Sequence, residues 1–230
     1  HHHSEVYLPH NPTNRKNSSG FDLEACKLIA QTAIFCPKHI YEDVKNGKCG
    51  SKDKQSSNDN AFGSWFNCKY RRANNGDQRR QTNNGIILDD NTMANQAIKK
   101  AVLEGLEKYG IHKTDIKIFK GFEACHIWDE TCYNKKYHTS VANLVLLPRS
   151  LASLTDHCDA VKKLLQYEAW KRFEFKPKEE CYYEHYHEEN ITPSDPLPIP
   201  KYYKDVNWKY PIQNESSTNK PLRGKAKKKQ

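Results

Sequence analysis

The sequence predicts an α+β fold. Three observations predict it: apolar stripes at helical spacing over residues 23–34 and 94–106, a strand–loop–strand–helix order over residues 116–170, and a high aromatic content. The 4 Trp, 13 Tyr and 8 Phe carry too much apolar ring surface to stay solvated, so an ordered core is expected although only 36% of residues are hydrophobic. With 230 residues the chain has length for one large domain or two small ones.

The elements follow in chain order. His1, His2 and His3 read as the end of a purification tag and are set aside. Ser19 and Asp22 have the spacing of a capping pair. The helix behind them carries Leu23, Cys26, Ile29, Ala30, Ala33 and Ile34 on one face, and Pro37 is expected to end it at about Cys36. Residues 45–60 have almost no apolar content and read as a loop, followed by a short aromatic segment over 62–70. Residues 71–85 hold Arg71, Arg72, Arg79 and Arg80 and no core-forming side chain, which predicts an exposed loop or hairpin tip. Ile86–Leu88 reads as a short strand. A helix then follows through Ala94, Ala97, Ile98, Ala101, Val102 and Leu106, with Gly110 as its stop. Residues 116–128 and 141–147 read as two strands, the second buried and closed by Pro148. Thr155 and Asp156 are placed to cap a last helix carrying Val161, Leu164, Leu165 and Trp170, which ends before Pro177. After Asn190 the chain is rich in Pro and Tyr and is expected to wrap the surface in extended form or to lack order.

Charge and cysteine usage narrow the class. The net charge is +9, from 37 basic and 28 acidic residues. Six of the basic residues (Lys220, Arg223, Lys225, Lys227, Lys228 and Lys229) lie in the last eleven positions with no acid among them. That run reads as a solvated tail or as an arm attracted to phosphates. No apolar run approaches the roughly 18 residues of a membrane span, and nothing resembles a signal peptide, so a cytoplasmic, non-membrane protein is expected. The eight cysteines are scattered and read as free thiols. Cys36-x-x-His39 with Cys49, and Cys181 with His185 and His187, lack the paired spacing of a zinc finger.

Polar residues fall where an active site would need them: Glu123 and His126 late in the first strand, Asn143 in the second, Asp156 and His157 at the helix start. Residues 116–160 resemble the HNH nuclease family, whose ββα-metal motif has this order. The resemblance rests on Glu123-Ala-Cys-His126-Ile for the first H, Asn143-Leu-Val-Leu-Leu-Pro148 for the N, and His157 for the last H. It implies His126 as the general base, Asn143 as the residue that holds the loop and orients the His126 side, and His157 as ligand to a single divalent metal ion, Mg²⁺ with Mn²⁺ as the alternative. Cys125 stands where the family usually has Asp or His as a ligand, which makes Glu123 the substitute ligand here. Asp156 is a rival to His157, because the family commonly spaces its last ligand one residue closer to the asparagine. Arg149, by its position just past the second strand, is a candidate for contact with the scissile phosphate. Arg71, Arg72, Arg79 and Arg80 are candidates for binding nucleic acid.

These residue types suit phosphodiester hydrolysis. A neutral imidazole can take the proton of an attacking water, and a divalent cation can stabilise the negative charge of the transition state. The expectation is therefore a metal-dependent endonuclease acting on double-stranded DNA, in a restriction or phage-defence setting. A homodimer follows if both strands of a symmetric site are cut. A nucleic-acid-binding subunit with a degenerate core, and a nuclease acting on RNA, are the alternatives. The expected organisation is an N-terminal helical and recognition region over 4–111, a nuclease core over 112–176, and an extended segment with a basic tail over 177–230.

Overall fold

The computed structural model describes residues 18–51, 62–66, 81–82, 85–86, 91–107, 116–128, 131–133, 136–177 and 196–210. Within them the protein is α+β. Its elements are α1 (Ser18–Thr32), β1 (Ile34–Phe35), α2 (Lys38–Lys45), β2 (Gln81–Thr82), β3 (Gly85–Ile86), α3 (Asn91–Leu106), β4 (Phe122–His126), β5 (Leu144–Pro148), α4 (Arg149–Ala152), α5 (Leu154–His157) and α6 (Asp159–Phe173).

The main sheet is antiparallel and three-stranded, in the order β1-β5-β4. β5 is its centre: Cys125 pairs with Val145 and His126 with Leu144 on one side, and Ile34 pairs with Leu146 on the other. Leu144, Val145, Leu146 and Leu147 are all fully buried, so both faces of this strand are covered. Each such side chain contributes roughly 1.5–3 kcal/mol of transfer free energy, which makes β5 the anchor of the fold. Helices α1 and α3 pack on the strand and α6 packs against α1. β1 comes from the N-terminal segment and β4 and β5 from the later one, so the sheet joins the two across residue 111.

Several local expectations are corrected. The Ser19/Asp22 pair does not precede α1 but lies inside it, and Asp22 Oδ1 instead sits 3.7 Å from Cys158 Sγ. α1 ends at Thr32, short of Cys36, because Ile34 and Phe35 leave the helix to pair with β5. Residues 116–128 are not one strand: Ile116–Phe119 is a 3-10 turn, and Gly121, at φ 86°, breaks the chain before β4. The second strand starts at Leu144, and Asn143 belongs to the connection before it. Asp156 lies inside α5. The residue before α6 is Cys158, which is extended and makes no side-chain cap.

The two residues of β2 pair with those of β3 as a small hairpin at the end of the arginine-rich stretch. Leu88, Gly110, the four arginines Arg71, Arg72, Arg79 and Arg80, and the basic run after Lys220 lie outside the described residues. Residues 196–210 pack on the surface and are extended only in part, because Tyr203–Asp205 is a 3-10 turn. Lys209 N donates to Ala30 O at 3.0 Å, and Gln31 Nε2 to Asn207 O at 2.9 Å. A buried cluster fastens this segment to α6. Arg172 pairs with Glu168 at 2.7 Å, Tyr203 Oη donates to Glu168 Oε2 at 2.7 Å, and Arg172 Nη2 donates to Tyr210 O at 2.8 Å. No helix among the described residues is long and apolar enough to cross a membrane.

Candidate active site

The site is the connection between β4 and β5, which leaves the sheet at His126 and returns at Leu144. Its turn over residues 136–141 is braced by residues 62–66. Ser64 Oγ donates to Lys136 O at 2.5 Å, Ser140 Oγ to Phe62 O at 2.6 Å, and Trp65 N to Thr139 O at 2.9 Å. Val141 N donates to Gly63 O at 3.0 Å. Gly63 has φ 69°, and a Cβ there would collide with the Tyr41 ring, so glycine is required where the brace passes α2.

Asn143 closes the connection from within. Its side chain is fully buried and uses both ends. Nδ2 donates to Thr131 Oγ1 at 2.8 Å and to Tyr137 O at 3.0 Å, while Oδ1 accepts from Trp128 N at 3.2 Å. One side chain thus joins three points of the loop. Strand propensity disfavours Asn, and a buried amide without partners would be costly, so this position is explained by the loop and not by the sheet.

His126 sits at the end of β4 beside this clamp. Its Nε2 lies 2.9 Å from the carbonyl oxygen of His138. A carbonyl can only accept, so Nε2 carries the hydrogen and Nδ1 is left with its lone pair. The His138 ring stacks on the His126 ring, with centroids 5.1 Å apart and planes at 29°. His138 is itself buried, and its Nδ1 donates to Cys132 O at 2.8 Å. Burial, then the neighbouring His138, push the His126 imidazole down to about 3, so at neutral pH it is uncharged. The residue as a whole is half-buried. An uncharged imidazole with a fixed tautomer and a lone pair on Nδ1 can accept a proton, and the burial that keeps it uncharged also makes it a weak base.

The other predicted residues are placed differently. Glu123 and His126 are three residues apart on β4, an odd spacing that puts them on opposite faces and about 10 Å apart along the strand. Glu123 lies 3.8 Å from Arg149 Nε. Both groups are substantially exposed, so the pair is worth little. Arg149 therefore stands beside Glu123 at the far end of the hairpin from His126. Glu123 shares its face with Cys125, whose Sγ lies 4.0 Å from Ala152 O. Burial and the Glu123 charge push the Cys125 thiol up to about 12, so it is not a thiolate at neutral pH. Asp156 and His157 are both exposed on α5.

Among the described residues, no group of three or more His, Cys, Asp or Glu side chains could hold a metal ion. Glu123, His157 and His126 are not such a group. Sequence reasoning missed His138 and Thr131. The only signal for His138 was the polar tract Tyr-His-Thr-Ser just before Val141, where a loop-closing role leaves no periodicity to read, and Thr131 lies outside that tract.

Comparison with family models, with curated proteins and with solved structures finds no match for this chain.

Proposed function

We propose that the protein is an endonuclease that hydrolyses phosphodiester bonds of DNA, with the β4–β5 connection as a nuclease core of the HNH type. The observation that carries this reading is the fixed tautomer of His126: Nε2–H is held by the His138 carbonyl, and Nδ1 is free of its proton. In the reaction a water oxygen attacks phosphorus, and its proton passes to His126 Nδ1. The bond from phosphorus to the leaving oxygen breaks on the opposite side, and that oxygen takes a proton from bulk water to leave as the alcohol. The imidazolium that forms keeps its Nε2–H on the His138 carbonyl. A docked phosphodiester anion raises the basicity of the ring, because a nearby negative charge favours the imidazolium and offsets the burial that lowers it. Asn143 keeps the loop, and with it the His138 carbonyl, in place.

The strand–connection–strand–helix order, the Glu123-Ala-Cys-His126-Ile segment and the Asn143-Leu-Val-Leu-Leu-Pro148 segment support the same reading. A divalent cation, Mg²⁺ or Mn²⁺, would stabilise the negative charge that gathers at the phosphate. Arg71, Arg72, Arg79, Arg80 and the basic run from Lys220 to Lys229 supply the charge that favours a polyanion as partner. Incubating supercoiled plasmid with the protein in Mg²⁺, Mn²⁺ or EDTA tests the reading. Nicking or linearisation in a metal and none in EDTA is expected, and competition by RNA separates the two substrates.

A second reading fits the absence of a three-residue ligand group among the described residues: a nucleic-acid-binding subunit with a degenerate core. Under it the protein retards DNA in a gel but leaves plasmid intact in either metal.

A further inference from the structure

We propose that His138 is a positioning residue for His126: its imidazole, stacked on the His126 ring and tethered to the Cys132 carbonyl, holds in place the main-chain oxygen that fixes the His126 tautomer. The role as base rests on the reading above. The positioning itself is a property of the folded protein and is tested without substrate.

The argument starts from what the carbonyl needs. Any residue at 138 has a carbonyl, but only a fixed loop keeps that oxygen 2.9 Å from His126 Nε2. The turn carrying it is held from one side by residues 62–66 and by Asn143 Nδ2 on the adjacent Tyr137 carbonyl. A further contact is made by the His138 side chain. Its Nδ1–H reaches back six residues to Cys132 O at 2.8 Å, next to Thr131, the second Asn143 partner. The residue is only 2% exposed, so the ring is part of a packed interior and not a surface group. Its stacking on His126 restricts the rotation that would carry Nε2 away from the carbonyl. Imidazole meets both demands at once, a flat face for the stack and a hydrogen-bond donor at the Nδ1 position. Phe has the face without the donor. Asn has the donor at nearly the same distance from the backbone, and Gln places it one bond too far.

The test is nitrogen NMR of the full chain labelled with ¹⁵N-histidine, with His126 assigned by its loss in His126→Gln. The parent is expected to show His126 with Nε2 protonated and Nδ1 bare between pH 5 and 8. In His138→Phe the two tautomers of His126 should mix, and its protonation midpoint should move up toward the ordinary 6.5 as loosening admits water and the neighbouring imidazole is lost. His138→Asn should restore the single tautomer, and His138→Gln should not. On plasmid, His138→Phe should lower kcat by about 10–10²-fold, with KM within about three-fold, and His138→Asn should recover most of it.

An unchanged single tautomer in folded His138→Phe would overturn the proposal, as would equal behaviour of the Asn and Gln variants. Should His138→Phe fail to fold, the Asn and Gln pair decides alone. If the tautomers respond as stated while the parent cuts no DNA in either metal, the nuclease reading fails and the positioning stands. If the parent cuts and the tautomers do not respond, the reverse holds.

Discussion

The Asn143 side-chain amide donates to the Thr131 hydroxyl at 2.8 Å, and so ties the end of the β4–β5 connection to its beginning. Thr131 Oγ1 in turn donates to Trp128 O at 2.5 Å, which extends the tie toward His126. The loop that faces His126 is therefore closed by buried polar contacts, where an unmade bond costs more than a made bond gains.

Removing that amide should be expensive. Asn143→Ala removes the side-chain acceptor of Trp128 N and one of the two donors to Tyr137 O, which keeps Ser140 N, and a loss of about 1–3 kcal/mol is expected from urea unfolding. Asn143→Asp replaces the two-hydrogen donor by an acceptor facing the Tyr137 carbonyl, and it should be at least as destabilising at pH 7. Stability within about 0.5 kcal/mol of the parent in either variant would remove the clamp from the account.

His126 should make the fold sensitive to acid. Its imidazole is held down to about 3 in the folded protein, against about 6.5 when unfolded. Between those two values the unfolded chain binds the proton and the folded chain does not, so stability falls as pH falls through that window. The slope has an upper limit of about 1.4 kcal/mol per pH unit. His126→Gln keeps a donor for the His138 carbonyl but cannot titrate. Unfolding followed from pH 7 to pH 4 should show the parent losing stability relative to this variant.

The two candidates at the helix start are separable by stability. Asp156 is exposed inside α5 and caps nothing, since Cys158 precedes α6. Asp156→Ala should therefore change stability by no more than about 0.5 kcal/mol, measured by urea unfolding. A loss of 1–2 kcal/mol, the usual worth of a cap, would restore it as a capping residue.

How far these placements were legible follows from the kind of signal each left. The α+β class and the helical faces were legible because apolar residues recur at fixed spacing, as in Ala94 through Leu106. The two-residue strand β1 was not, because Ile34 finds Leu146 across more than a hundred residues and two residues carry no period. His126 and Asn143 stood out as polar residues beside apolar strand runs. His138 did not, because its neighbours Thr139 and Ser140 are as polar as it is, and only closure of the loop sets it against His126. The separation of Glu123 from His126 was available from strand alternation alone.

The α6 clasp should depend on charge pairing. Arg172→Ala leaves the Glu168 carboxylate, 2% exposed, without its cation, and a cost of about 3–5 kcal/mol is expected. Arg172→Met combined with Glu168→Gln should recover most of it. Thermal unfolding of both variants checks this, and a double variant no better than the single one would contradict it.

The central claim is that His126 takes the proton of the attacking water, and the most direct measurement is the initial rate of plasmid nicking by His126→Ala beside the parent. In Mg²⁺ or Mn²⁺ the variant is expected to cut about 10²–10⁴-fold more slowly while binding DNA within a few-fold of the parent. A folded variant that cuts within a few-fold of the parent would contradict the claim, as would a parent that binds DNA and never cuts it.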